Sequence, residues 1–208
     1  MLFLFRNSIN EIIIILSKNF DFSNAYEYSC KDALKENERL LDIIEFKDKV
    51  SYDYIISRVK YRDVLDFTDS LQIFKGSNDG IEKGMAVIND KGLVGTISFT
   101  DKSISKVELI TNKNSNISVR IGNVYGILKF SNNNLIVSDI TNYDEINVGD
   151  DIVTSGIGNL PGEIMVGTVK DVKVSDLGIE KTVIVEPAVL FANISYLMVV
   201  MMKWFMFS

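Results

Sequence analysis

Chemistry in this sequence would have to start from Ser155 or Cys30, the two side chains with nucleophilic character that stand out. Ser155 lies in Thr154-Ser155-Gly156, a small-residue turn of the kind that can present a nucleophile. A serine or thiol of this type needs a base, and the sequence contains no histidine. No Ser-His-Asp or Cys-His arrangement can therefore form, nor any zinc site that uses histidine. A lysine would have to serve as base for Ser155, and no candidate stands beside it in the sequence. Cys30 has Lys31 as its only adjacent cation. Serine is a common turn residue, so Ser155 reads as part of a turn. The glycines Gly156, Gly158 and Gly162 depart from G-x-G-x-x-G and precede strand-like sequence, which excludes a dinucleotide loop. Catalytic, cofactor-binding and metal-ligating residues are all expected to be none, and the chain is expected not to be an enzyme.

The same turn belongs to a pattern used twice. Ile146-x-x-Gly149-Asp150-x-Ile152 leads through Pro161-Gly162 to Val166-Gly167-Thr168-Val169. Earlier, Ile81-x-x-Gly84-x-x-Val87 leads through Gly92 to Val94-Gly95-Thr96-Ile97. Glycines punctuating short β-branched runs mark tight turns and bulges between strands. The repetition predicts two related β modules, with the glycines acting chiefly in turn architecture.

Composition narrows the class. With 208 residues, 47% hydrophobic and 24% charged, the chain is long and apolar enough for one or two packed domains. A net charge of −6 argues against nucleic acid as a partner, because phosphate neutralisation needs clustered Lys and Arg. One cysteine permits no internal disulfide.

Residues 1–50 read as helical, free of Pro and Gly. Leu34, Asn37, Leu41 and Ile44 follow the 3–4–3 spacing of a coiled-coil seam, with Asn37 placed to select register. Carried backwards, the frame meets Ile9, Ile13, Leu16 and Phe20, but also Ser23 and Glu27, so a break falls near Asp21–Asn24. Two readings are open: a dimer seam, or an amphipathic helix packed on its own domain. Residues 51–208 read as nearly all β, with short strands from Tyr54–Tyr61 to Thr182–Val185 and regular turn signals between them. That spacing favours small barrels or a sandwich over βαβ units. The apolar tail predicts a buried last strand from Ile194 through about Met202, and the residues after it an apolar patch for a partner or a membrane surface. Neither the tail nor Ile12–Leu16 approaches the ~20 apolar residues of a membrane span, and no cleavage-site pattern follows the latter.

Three ordered segments resemble the MreC family of rod-shape-determining proteins. The first is Leu34-Lys35-Glu36-Asn37-Glu38-Arg39-Leu40, similar to the family's coiled coil. The second runs from Ile73 through Gly76, Gly80 and Gly84 to Gly92 and Gly95, and the third from Gly149-Asp150 through Thr154-Ser155-Gly156 and Pro161-Gly162 to Gly167. The resemblance covers roughly residues 30–200. It implies a mainly β fold: an N-terminal coiled-coil helix over 1–50, then two small β-barrels in a chymotrypsin-like tandem. These are placed at 51–120 and 121–208, with sharing of strands between the barrels left open. It implies a homodimeric scaffold, able to form filaments, that maintains cell shape by organising peptidoglycan synthesis. The implied partners are the elongation penicillin-binding protein, MreD and MreB, through strand edges and apolar grooves. The implied location is the extracytoplasmic face of the cytoplasmic membrane. The family's spanning helix has no counterpart here, which implies attachment in a longer chain or through partners. Alternatives are a periplasmic adaptor of a transport complex, which would need a second long helix, and a chymotrypsin-like hydrolase, which the absence of histidine disfavours.

Overall fold

The computed structural model describes residues 31–37, 53–62, 69–175, 179–191 and 194–201. The chain divides into two units, Met1–Val50 and Ser51–Ser208. In the first, residues 31–37 are α-helical and hold Leu34 and Asn37, with Leu34 63% exposed. Leu41, Ile44, Cys30 and the earlier frame from Ile9 to Phe20 lie outside the described residues, as do the residues that follow the last strand.

The second unit is built of strands: β1 (Asp53–Arg62), β2 (Ser70–Ile73), β3 (Ala86–Ile88), β4 (Leu93–Thr100), β5 (Ser105–Leu109) and β6 (Asn116–Ile121). The chain continues through β7 (Val124–Ser131), β8 (Asn134–Thr141), β9 (Asp151–Ser155), β10 (Gly162–Val174), β11 (Glu180–Pro187) and β12 (Tyr196–Met201). Alternation explains most of them. In β6, for example, Ile117, Val119 and Ile121 are buried while Asn116, Ser118 and Arg120 are not. In β12 four successive residues, Leu197 to Val200, are buried, which suits a strand covered on both faces.

The strands close into two six-membered antiparallel barrels, ordered β1-β12-β3-β4-β5-β2 and β10-β11-β8-β7-β6-β9. Closure leaves neither sheet a free edge. The core of the first barrel contains Leu71, Ile73, Val87, Ile97, Val107, Leu197 and Val199. Against a division at residues 120 and 121, the strands are shared differently. β6 pairs with β7 and β9 and so belongs to the second barrel, while β12 pairs with β1 and β3 and completes the first. The second barrel is thus inserted between β5 and β12. Going around each barrel, β12-β1-β2-β5-β4-β3 corresponds to β6-β7-β8-β11-β10-β9. The first barrel is a circular permutation of the second, its opening strand supplied by the end of the chain.

The two copies agree at the level of single hydrogen bonds. The Gly84 N–H donates to Ile97 O (2.7 Å), as the Gly149 N–H does to Val169 O (2.8 Å). The Ile97 N–H returns to Met85 O, and the Val169 N–H to Asp150 O, both at 2.9 Å. Val94 O accepts from Ile110 N–H and Val166 O from Ala188 N–H, both at 3.0 Å. Gly95 and Gly167 fill the same role, for a Cβ on either would stand 1.9 Å from Glu108 O or 2.2 Å from Glu186 O. Neighbouring backbone occupies the space a side chain would need. The repeated V-G-T motif is therefore a packing requirement written twice.

Candidate functional site

The turn that leaves β9 uses its hydroxyls structurally. Thr154 is fully buried; its Oγ1 donates to Pro161 O (2.6 Å) and accepts from the Ile164 N–H (3.0 Å), tying the two ends of the turn together. The Ser155 hydroxyl donates to Ser118 Oγ (2.8 Å) and accepts the Ile157 N–H (3.0 Å). No lysine, carboxylate or other base meets Ser155 in these bonds. Gly156 follows at φ 76° and turns the chain away from β10's ladder, to which it returns at Gly162.

Residues 156–161 lean towards the first barrel. Asn159 Nδ2 lies 3.7 Å from the position a Cβ on Gly84 would take. Between the barrels this leaves a groove of about 530 Å³. Gly84, Thr96 and Glu108 of the first barrel form one wall; Asn116, Ser118, Ile157 and Leu160 of the second form the other. Among the described residues that line it, Glu108 is the titratable one. Ile157 is 62% exposed there. Amides, hydroxyls and an exposed isoleucine suit recognition of another surface, with the apolar side chain as anchor. Gly92, in the β3–β4 turn, brings the barrels together directly: a Cβ there would stand 2.2 Å from Met165 O in β10.

Gly76 and Gly80 build a separate clip beside β2. The Asp79 carboxylate accepts from Lys75 Nζ (2.6 Å) and from the Gly76 N–H (3.0 Å). These bonds, the lysine foremost, hold its carboxyl below the ordinary aspartate range. The N–H groups of Ser77 and Asn78 donate to Asp101 O and Lys102 O across the barrel end.

Apart from Gly92, which joins the barrels, the motif residues separate into three places. Gly84, Thr154, Ser155, Gly156, Pro161 and Gly162 build or border the groove; Gly76 and Gly80 build the clip; Gly95, Gly149, Asp150 and Gly167 sit in the barrel walls or the turns leading into them. Sequence reading did not single out Asn116, Ser118, Ile157 or Leu160 as a shared surface, because they meet only when the barrels do. Asp79 was more accessible, standing four residues after Lys75 at the end of a Gly-Ser-Asn turn.

Two duplicated six-stranded barrels, with a groove of amides, hydroxyls and an exposed isoleucine between them, define a tandem-barrel protein. The chain belongs to the MreC family: the family described as "Rod shape-determining protein MreC, barrel core" matches residues 59–201. The cell shape-determining protein MreC of Listeria monocytogenes is 30% identical over 171 residues, covering 77% of this chain and 58% of the relative. That of Bacillus subtilis is 26% identical over 202 residues, covering 89% and 70%. The chain therefore spans less than two thirds of the Listeria relative. A solved MreC structure superposes with a TM-score of 0.73 at 25% identity, covering 81% of this chain and 99% of that one. MreC in a complex with penicillin-binding protein PBP2 from Helicobacter pylori shares the fold, with a TM-score of 0.60 at 21% identity, over 71% of this chain and 97% of that chain. The family is structural and shape-determining, not enzymatic.

Proposed function

We propose that this chain is a non-enzymatic scaffold of the bacterial cell-wall elongation machinery, maintaining cell shape by organising peptidoglycan synthesis. The observation that carries the reading is the match of residues 59–201, from within β1 to the end of β12, to the family's barrel core. The groove between the barrels is the surface offered to a partner. The Helicobacter pylori complex supports an elongation penicillin-binding protein as that partner. MreD and MreB join it by family resemblance, as does assembly into filaments.

A homodimer through Leu34, Asn37, Leu41 and Ile44 is supported by the exposure of Leu34 on the described helix. Among the described residues no helix is long and apolar enough to cross a membrane. The scaffold sits at the extracytoplasmic face of the cytoplasmic membrane, a reading supported by the family resemblance. A hydrolase reading has less support, since Ser155 bonds to Ser118 and to turn backbone. An adaptor reading has less support, because both strand sets close into barrels where lipoyl-like halves would be expected.

Depletion of the protein in its host tests the proposal. Elongated cells should round up and lateral incorporation of labelled wall precursor should fall; unchanged shape and labelling would remove the basis for it.

A further inference from the structure

The outer face of the first barrel, beyond the Thr96 and Glu108 edge of the groove, combines cations with exposed aromatic rings in a protein of net charge −6. Phe74 is 53% exposed and Phe99 62%. Lys60 Nζ stands over the Phe74 ring, 5.6 Å from its centroid. Across the sheet Phe99 lies opposite Lys106, and Lys106 opposite Gln72, two residues before Phe74. Lys106 therefore sits on the strand between those of the two phenylalanines. Arg58 adjoins Phe74 through the backbone bond from the Phe74 N–H to Arg58 O, and Lys102 lies in the β4–β5 turn. Among the described residues no carboxylate forms an ion pair with Arg58, Lys60, Lys102 or Lys106. The acidic groups that share these strands and turns are Asp53 at the start of β1, Asp79, which pairs with Lys75 in the clip after Phe74, Glu108, which lines the groove, and Asp101, beside Lys102.

We propose that this face docks peripherally on an anionic lipid bilayer, with Phe74 and Phe99 entering the interface and Lys60, Lys106, Arg58 and Lys102 meeting lipid phosphates. Three features select a bilayer over an acidic protein. The face is the convex outside of a closed barrel, and none of these six residues lines the groove or the cavity at the β7–β8 turn. Phenyl rings carry no polar group for a partner to satisfy, so their exposure is best relieved by an apolar phase. Lysines beside exposed rings, Lys60 over Phe74 and Lys106 opposite Phe99, combine charge with apolar surface, the pairing that suits an interface between headgroup and acyl chain. This inference is independent of the groove and of the scaffold reading.

The test is co-sedimentation of the full chain with vesicles of phosphatidylcholine, alone or with about 30% phosphatidylglycerol, at low and high salt. Binding should require the anionic lipid and weaken with salt. The pair Lys60→Glu/Lys106→Glu should lower it about 25-fold or more, since each basic group near such a surface contributes about a factor of five. Phe74→Ser/Phe99→Ser should lower it several-fold, whereas Lys60→Arg/Lys106→Arg should retain it and so separate charge from structure. Because every variant keeps the apolar segment Ile12–Leu16, any binding through that segment remains constant across the series. Equal binding to both vesicle types, or binding that either the Glu or the Ser pair leaves unchanged, overturns the proposal. So does retention on immobilised polyphosphate without vesicle binding, which would make the face a site for soluble polyanions.

Discussion

At the scale of single residues, two positions link local geometry to stability in ways that can be measured. Gly95 abuts the Glu108 carbonyl so closely that Gly95→Ala forces β4 and β5 apart. The expected loss is about 1–3 kcal/mol, the usual cost of overpacking, and chemical denaturation would read it. The same change at Gly122, where a Cβ meets nothing within 4 Å, is the control for space; its φ of 56° adds local strain but no collision. Asp79 makes a pH prediction. Its carboxyl is lowered by Lys75 and the Gly76 N–H, so its charged form is favoured in the folded state. The stabilisation is present above the ordinary value of 3.8 and is lost as pH falls through the lowered folded value. Asp79→Asn should therefore flatten the acid limb of a stability–pH curve and leave the dependence near neutrality unchanged. The clip is partly exposed, so the effect will be small and sensitive to salt. An acid limb identical in the two proteins would exclude the clip.

At the scale of elements, β12 carries the most consequence. It is the only strand of the first barrel that follows the inserted second barrel, and without it β1 and β3 become free edges. Leu197 is fully buried in this barrel's core. Leu197→Ala should cost about 2–5 kcal/mol by transfer and cavity terms together, read as a lowered denaturation midpoint. Because the first barrel cannot close until β12 is present, its amides should gain exchange protection only when residues through Met201 are included. Protection of β3 and β4 in a chain ending at Ser195 would contradict this closure.

At the scale of the whole molecule, the scaffold proposal joins a helical unit for pairing to a barrel unit for presentation. Leu41→Asp should shift the protein towards monomer in analytical ultracentrifugation. An unchanged dimer would move the interface to the barrels or return the helix to its own domain. Much of this design was legible in the sequence. The strands followed alternation and turn chemistry, so Ser105–Leu109 or Asp151–Thr154 could be read locally. The repeated glycine patterns announced two related modules, and the lack of histidine deprived Ser155 of its usual base. What could not be read was which strand pairs with which. β6 is tied to β7 by the two-residue Gly122-Asn123 turn, but β12 has an ordinary strand sequence and nothing in it names its barrel, because antiparallel pairing across an inserted domain leaves no local signature. The groove shares this origin: Gly84 and Asn159 are 75 positions apart and become neighbours only through tertiary packing. Local steric and hydrophobic rules determined the elements and the family pattern. Long-range strand pairing alone decided how the barrels interlock and what surface they present.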